Sequence, residues 1–268
     1  MHLAPKPLDK ASIATGMKDH WIGSSLVVLD DCTSTNDVIE RSAIDGAPHG
    51  AVVIAETQHA GRGRRGRTWY SPRGGVWLSI LVRSQGFDRV VDSLPVIGVL
   101  ATAKVLALNL RVKAGVRWPN DVVVGNRKIA GVLVESKSRG NQLSYAALGL
   151  GINANFQTRQ IESIRDSSTS LLELVGSPIN REQLIVSVLS EVEGMYDSVK
   201  TIGETALIET LKGLDWSRGK QVMVKTADRD IIGQFEDYQS LAKVRIRTGN
   251  GFEEIETNTV ISVDYESD

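Results

Sequence analysis

The sequence is poor in cysteine, in aromatic residues and in excess charge of either sign. Its one cysteine, Cys32, cannot form an internal disulfide, which favours a reducing compartment. Lys and Arg number 31 against 32 Asp and Glu, for a net charge of -1. Proteins that bind nucleic-acid backbones usually carry a large positive surplus. Any basic site in this chain must therefore be a local feature.

Long apolar runs are also scarce. No run approaches the ~20 residues that a membrane span needs, and the N-terminal ten residues lack the apolar core of a signal peptide. Hydrophobic residues make up 41% and charged residues 24% of the chain, as in ordinary globular proteins. With 268 residues the chain can build one large domain and a small one. We therefore expect a soluble cytoplasmic protein that has no contact with a membrane.

The pattern of apolar residues predicts an α+β fold. The predicted strands are a buried one at 25–31 and two others at 51–57 and 76–83. Three helices are predicted: one capped near Ser34 and stopped by Gly46, a buried one capped by Ser93 with Pro95 in its first turn, and one from 181 to about 211. Short turns at 125–126 and 139–141 separate further strands, so much of the sheet should be antiparallel. Five short strands after Gly213 predict a small β-barrel. The expected domains are 1–213 and 214–268.

Residues 61–67, here called the arginine loop, read GRGRRGR, with four arginines and three glycines. The glycines fit the dinucleotide fingerprint G-x-G-x-x-G, but the continuation RTWYSPRGG cannot form the helix that this fingerprint needs. A nucleic-acid site lacks a helix-turn-helix, since only about 33 residues precede the first helix cap. A solvated hairpin without function would leave the arginines to repel each other. We expect a loop that is disordered alone and is ordered by a carboxylate or phosphate.

Four further motifs accompany the arginine loop. They are TSTN at 33–36, RWPND at 117–121, RKIAGVLVE at 127–135 and GLGINAN at 149–155. In this order and at these separations, residues 25–215 resemble the biotin–protein ligases. The resemblance implies a catalytic core like that of class II aminoacyl-tRNA synthetases, with a mixed, largely antiparallel sheet, followed by a C-terminal SH3-like β-barrel.

The resemblance also implies a two-step reaction. The carboxylate of biotin attacks the α-phosphate of ATP, and biotinyl-5′-adenylate and pyrophosphate form. The adenylate then acylates one lysine of a biotin carboxyl carrier domain, the expected protein partner. ATP, biotin and Mg²⁺ are the expected ligands. No GxxxxGK[ST] motif is present, so another device must hold ATP.

Matching positions supply the expected site residues. Those for biotin are Ser34, Thr35, Asn36, Gln58, Gly61, Arg62, Gly63, Arg64, Lys128, Gly131 and Val132. Those for ATP or the adenylate are Arg64, Arg67, Trp69, Asn120, Lys128 and Asn153. Lys128 and Arg64 are the expected catalytic residues, because a fixed cation stabilises the charge that builds on the α-phosphate. The metal ligands stay undefined, with Asp121 either near Mg²⁺ or behind the first layer of contacts.

Simpler interpretations compete at four of these positions. Ser34, Thr35 and Asn36 fit a plain helix cap, and a cap can also contact a ligand. Lys128 taken alone is a solvent-facing lysine after a turn.

The chain departs from the family at Arg117, where lysine is usual. Arginine keeps the charge but replaces a compact ammonium with a planar fork. The absence of an N-terminal helix-turn-helix leads us to expect no sequence-specific binding of DNA. A homodimer is left open. The competing functions are a lipoate or octanoate ligase or transferase, and a nucleic-acid-binding regulator.

Overall fold

The computed structural model describes residues 5–83, 90–139 and 142–266. Its main element is a seven-stranded sheet in the order β1-β2-β3-β7-β6-β5-β4. The strands are β1 Leu26–Cys32, β2 Val52–Gln58, β3 Val76–Arg83, β4 Gly115–Arg117, β5 Asp121–Val124, β6 Arg127–Arg139 and β7 Gln142–Ile152. β1 and β2 pair in parallel, and the other neighbours pair antiparallel. The expected mixed, largely antiparallel sheet is confirmed.

The described residues form six α-helices beside the sheet: α1 Lys10–Gly16, α2 Thr35–Ile44, α3 Val90–Leu110, α4 Leu171–Val175, α5 Arg181–Ile202 and α6 Thr205–Leu214. α3 packs between the sheet and α5, whereas α2 packs on β2, β3 and β7. Alternate side chains of β2 point to opposite faces of the sheet. Ile54 packs in the larger core, and Val53 packs in the cluster under α2. The N-terminus of α2 is thereby fixed above the middle of the sheet.

A second, five-stranded antiparallel sheet follows α6, in the order β11-β10-β9-β8-β12. Its strands are β8 Gln221–Thr226, β9 Asp230–Tyr238, β10 Lys243–Thr248, β11 Gly251–Glu256 and β12 Val260–Tyr265, and a turn of 3-10 helix at Thr257–Thr259 precedes β12. The five strands predicted after Gly213 are confirmed. Phe235 is fully buried at the centre of this sheet.

Several predictions about single elements are wrong. β1 is an edge strand, and Val27 is 40% exposed, so the strand is not buried. The helix predicted from 181 to about 211 is two helices, because Gly203 caps α5 with a φ of 87°. α3 begins by Val90, so Ser93 is not its cap; the Ser93 hydroxyl donates to Glu204 Oε1. The predicted turn at 139–141 involves Gly140 and Asn141, which lie outside the described residues.

Helix α1 was not predicted. Asp9 caps it by accepting from the backbone N–H of Ala11, and Ile13 and Met17 are buried. The helix is short and packs on α5. It therefore precedes the Ser34 cap, which is the first helix signal in the sequence pattern.

The expectation that no apolar run approaches a membrane span is also wrong. By length and composition alone, the helical stretch Val91–Leu110 is long enough and apolar enough to cross a membrane, with a mean hydropathy of 1.7. Two thirds of that stretch is buried within the fold, against the sheet and α5. Those contacts are the ones that a core helix makes.

A buried polar junction joins the two sheets. Trp216 N–H donates to Val116 O on β4, and the Ser217 hydroxyl accepts from Trp118 N–H. The Tyr265 hydroxyl on β12 donates to Trp118 O. The second sheet is therefore hydrogen-bonded to the segment between β4 and β5.

Asp215 makes this junction sensitive to pH. Burial raises the pKa of its carboxyl from 3.8 to about 6, although the Ser217 N–H bond opposes this. Because the folded chain then binds more protons than the unfolded chain between about pH 4 and pH 6, the free energy of unfolding falls as pH rises through that window.

As pH rises from about 4 to about 7, we expect the free energy of unfolding of the wild type to fall by about 1–2 kcal/mol more than that of Asp215→Asn. The asparagine keeps an acceptor for Ser217 N–H but cannot ionise. Urea unfolding across this pH range measures the difference. Parallel stability profiles for the two proteins would contradict the assignment.

Candidate active site

A cavity of about 410 Å³ lies where α2, the arginine loop, the middle of the first sheet and strand β12 meet. Its walls include most of the residues predicted from the sequence: Ser34, Thr35, Asn36, Gln58, Arg62, Gly63, Arg64, Arg67, Trp69, Asn120, Lys128, Gly131 and Val132. Gly61 and Asn153 are not among the lining residues. The structure thus brings all five motifs to one cavity, since Gly149–Gly151 of the fifth also line it.

The first turn of α2 forms the floor of the cavity. Ser34 is the helix cap, and its Oγ accepts from Asn36 N–H at 3.3 Å. Thr35 N–H donates to Gln58 Oε1 at 2.7 Å, and Gln58 Nε2 donates to Ser71 Oγ at 2.7 Å. Ser34, Thr35 and Asn36 are each about 95% buried. The helix-cap interpretation is confirmed, and the same residues also face the cavity.

The arginine loop is held by contacts with distant parts of the chain. Arg62 pairs with Asp37 at 2.6 Å and with Glu135 at 3.2 Å. Arg64 donates to the carbonyls of Thr257 and Val260, each at 3.0 Å. Arg65, which has a φ of 56°, donates to Asn258 O at 2.9 Å. These contacts come from residues that are distant in the sequence, and they offset repulsion among the arginines that nothing local to the loop offsets.

The electrostatics of Arg62 and Arg64 differ. The hydrogen bond from Arg62 lowers the pKa of Asp37, and the bond to Asp37 raises the pKa of Arg62. Burial lowers the pKa of Arg64, and the charges of Arg65 and Arg67 add to this effect. Arg62 is thus neutralised by carboxylates, whereas the hydrogen bonds of Arg64 to the described residues are to carbonyls, so it keeps positive charge at the cavity wall.

Lys128 lies at the start of β6 and forms a charged group with Asp121 and Arg117. Its Nζ lies 2.5 Å from Asp121 Oδ1 and 4.8 Å from the centroid of the Trp69 ring. Asp121 Oδ2 also accepts from Arg117 Nη2 at 3.0 Å. The Arg117 guanidinium lies over the rings of Trp216 and Tyr265, at 5.7 and 6.0 Å. The planar fork at position 117 is therefore accommodated by stacking on aromatic faces.

Trp69 lies flat against two glycines of the sheet. A Cβ at Gly151 would be 2.6 Å from the indole, and a Cβ at Gly131 would be 3.0 Å from it. Both glycines are needed for this approach. The indole N–H of Trp69 is buried without a hydrogen-bond partner among the described residues, and an unpaired buried donor of this kind is uncommon.

The remaining predicted residues, Asn120, Asn153 and Gly61, form hydrogen bonds with main-chain atoms around the cavity. Asn120 Nδ2 donates to Val132 O at 2.6 Å, and Val132 N–H donates to Asn120 O at 3.0 Å. Asn153 is buried beneath the cavity and donates to Thr169 O at 3.0 Å. Gly61 O accepts from Trp69 N–H at 2.8 Å, and a Cβ at Gly61 would be 2.5 Å from Trp69 O. Asn153 and Gly61 therefore shape the walls from behind.

Some site residues were missed. Ser79 lies under the floor, Glu135 accepts from both Asn36 and Arg62, and residues 260–265 close one side of the cavity. Glu135 ends the motif at 127–135 and Ser79 interrupts an apolar strand, so a polar signal was present at both. Nothing local could have placed β12 at the cavity.

The chemistry that this site offers follows from its charges. Lys128, Arg117, Arg64 and Arg67 surround one end of the cavity, and Asp121 neutralises only part of this charge. Among the described ranges, no group of three or more His, Cys, Asp or Glu side chains is placed to hold a metal ion. The polar floor and the cationic end suit an elongated ligand with a polar head and an anionic tail.

Comparisons with known proteins agree with this geometry. The family model described as Biotin/lipoate A/B protein ligase family matches residues 29–153. The chain is 28% identical over 258 residues to the biotin–[acetyl-CoA-carboxylase] ligase of Mycobacterium tuberculosis, covering 91% of each protein. It is 32% identical over 213 residues to the bifunctional ligase/repressor BirA of Escherichia coli, covering 79% of this chain and 65% of that protein. The structure of a biotin protein ligase from Aquifex aeolicus in complex with biotin and ATP matches with a TM-score of 0.80 at 27% identity, over 91% of this chain and 100% of that chain.

Proposed function

The chain belongs to the biotin–protein ligase family, within the Biotin/lipoate A/B protein ligases, and we propose that it activates biotin with ATP and transfers it to a lysine of a biotin carboxyl carrier domain. The observation that carries the proposal is one cavity with a hydrogen-bonding floor at Ser34–Asn36 and a cationic end at Lys128 and Arg64. The relative from M. tuberculosis is named for acetyl-CoA carboxylase, which supports a carboxylase carrier domain as the acceptor.

In this proposal the floor binds the ureido head of biotin. Ser34, Thr35 and Asn36 offer hydroxyl and amide groups, and Gln58 supports them from the end of β2. Arg62, Gly63 and Arg64 lie along the bicycle and the acyl chain, with Gly61 supporting them from behind, and Gly131 and Val132 flank the acyl chain. The carboxylate of biotin then points toward Lys128 and Arg64.

The nucleotide lies beyond that carboxylate. Trp69 and Arg67 face the adenosine, and the unpaired indole N–H supports a ligand acceptor beside Trp69. Asn120 and Asn153 hold the backbone on which Lys128 and Val132 are placed. Mg²⁺ enters with the phosphates of ATP, since Asp121 is already paired with two cations.

The reaction proceeds in two displacements. A carboxylate oxygen of biotin attacks the α-phosphorus, the bond to the bridging oxygen breaks, and pyrophosphate leaves. Lys128 stabilises the charge on the α-phosphoryl oxygens as the bond forms. The carrier lysine, as a neutral amine, then attacks the acyl carbon, and AMP leaves with the bonding electrons.

The finer features of the fold belong to the same proposal. Residues 1–213 form a core like that of class II aminoacyl-tRNA synthetases, and residues 214–268 form an SH3-like barrel. The order of the five C-terminal strands and the 3-10 turn before β12 support the barrel. We also propose a cytoplasmic location and no operator binding. The near-neutral charge of the chain supports the absence of operator binding. The proposed function is compatible with both a monomer and a homodimer.

Incubation with biotin, MgATP and a recombinant biotin carrier domain tests the function. Intact-mass measurement should show one biotinyl group on the carrier, and none when ATP is omitted or the acceptor lysine is replaced by arginine. A parallel reaction with lipoate tests the competing ligase. Transfer of lipoate but not biotin, or of neither, would overturn the proposal.

A further inference from the structure

Ser79 is a fully buried serine in strand β3, which is otherwise apolar up to its last residue, Arg83. Its Oγ lies 2.7 Å from Thr35 Oγ1 and 2.5 Å from Asn36 Oδ1. Thr35 and Asn36 line the cavity, whereas Ser79 does not. Any effect of Ser79 on a ligand must therefore pass through these two residues.

The orientation of the Asn36 amide in this group is fixed by Glu135. A carboxylate only accepts, so Asn36 must turn its Nδ2 toward Glu135 Oε2, which lies 2.7 Å away. The amide oxygen of Asn36 then faces Ser79 and accepts its hydroxyl hydrogen. Ser79 has no second hydrogen, so the one hydroxyl hydrogen of Thr35 goes either to Ser79 Oγ or to Gln58 Oε1, which lies 3.1 Å from Thr35 Oγ1. Ser79 and Glu135 thus hold the Asn36 amide in one orientation from opposite sides.

The pattern that the floor presents follows from this orientation. One N–H of Asn36 is left for the cavity. Ser34 Oγ accepts from the backbone of Asn36, which leaves its hydroxyl hydrogen as a donor. Thr35 has committed its hydrogen inward, which leaves its oxygen as an acceptor. The floor therefore offers two donors and one acceptor, the complement of a carbonyl oxygen beside an N–H group.

We propose that Ser79 and Glu135 are positioning residues that fix the Asn36 amide and thereby make the floor selective for the carbonyl oxygen of a cyclic urea. This inference rests on the proposed function and extends it to residues outside the cavity lining. Glu135 also contacts Arg62 at 3.2 Å, so the same carboxylate joins the floor to the arginine loop.

Steady-state kinetics of biotin-dependent pyrophosphate release test the role of Ser79. Ser79→Ala should raise the KM for biotin by about tenfold, because the buried oxygen of Asn36 loses its donor. The KM for ATP and kcat should stay near the wild-type values. Ser79→Cys keeps a weak S–H donor and should fall between wild type and Ser79→Ala.

Ser93→Ala is the matched control. Ser93 is equally buried, and its hydroxyl bonds to Glu204, away from the cavity. It should lower the melting temperature without changing either KM. If Ser79→Ala behaves like Ser93→Ala, Ser79 is only structural and the inference is wrong.

Selectivity provides the second measurement. 2-Iminobiotin carries an N–H in place of the carbonyl oxygen, so the wild type should use it poorly relative to biotin. Both Ser79→Ala and Glu135→Gln should narrow this preference, since either change lets the Asn36 amide reorient. Glu135 is 42% exposed, so its variant should fold even if Ser79→Ala does not. An unchanged preference in Glu135→Gln and in whichever Ser79 variants fold would overturn the inference. Absence of pyrophosphate release by the wild type would instead overturn the proposed function.

Discussion

Lys128→Ala is expected to slow biotin-dependent pyrophosphate release by about 10²–10³-fold, the usual effect of removing one preorganised donor of charge stabilisation. Lys128, Arg117 and Asp121 form a group with two positive charges and one negative charge. Without Lys128 the group is neutral, and two anionic substrates must meet there without its ammonium.

The substitution should leave the fold and much of the affinity for biotin intact. Lys128 is 24% exposed, and Asp121 keeps Arg117 as its partner. The free energy of unfolding should therefore change by less than about 1 kcal/mol. Calorimetric titration with biotin and urea unfolding measure these two quantities beside the rate.

Two variants make the interpretation specific. Lys137→Ala changes the same residue type on the same strand, but Lys137 is 64% exposed and pairs with Glu40 away from the cationic end; its rate should equal that of wild type. Lys128→Arg keeps the charge in a planar fork and should recover part of the rate. A near-normal rate in Lys128→Ala would mean that another cation performs this function.

The sequence predicted those features of the fold that depend on residues close together in the chain. β3 was predicted with its observed bounds, because an apolar run between glycine and polar segments is a local pattern. The cap at Ser34 was likewise predictable from its position before an amphipathic helix. The break at Gly203 was also a local signal, a glycine at a helix end, and could have been used.

The contacts that organise the cavity are not local. Ser79 and Asn36 are 43 residues apart, and Arg64 and Thr257 are 193 apart. No spacing rule relates such positions, so only the folded sheet shows that they meet. For the same reason the exposed edge at β1 could not be distinguished from a buried strand by its apolar residues alone.

The contact between the arginine loop and the second sheet leads to a prediction about fidelity. Arg64 joins the loop to Thr257 and Val260, and it lies at the wall where we place the acyl phosphate. Biotinyl-adenylate is a mixed anhydride, so any that escapes acylates lysines at random. Closure of the loop should therefore control which protein is labelled as well as the rate.

Arg64→Gly removes both carbonyl contacts and the charge, and it adds backbone freedom to the loop. We expect the adenylate to dissociate about tenfold faster or more, the effect of losing one hydrogen bond from a charged group. Biotin should then appear on bystander proteins such as serum albumin as well as on the carrier. A streptavidin blot of a mixed-protein reaction, with wild type alongside, measures the labelling, and a chase with unlabelled biotin measures the dissociation rate.

Arg65→Gly is the matched control, because it makes the same change one residue away. Arg65 is exposed, its φ of 56° suits glycine, and its side chain donates a hydrogen bond to Asn258 O. It should keep the labelling confined to the carrier domain, since Arg64 still joins the loop to the second sheet. If Arg64→Gly is equally confined and its adenylate dissociates at the wild-type rate, then Arg64 does not control closure. Labelling of bystanders by both variants would place that control in the contact of the whole loop with residues 257–260.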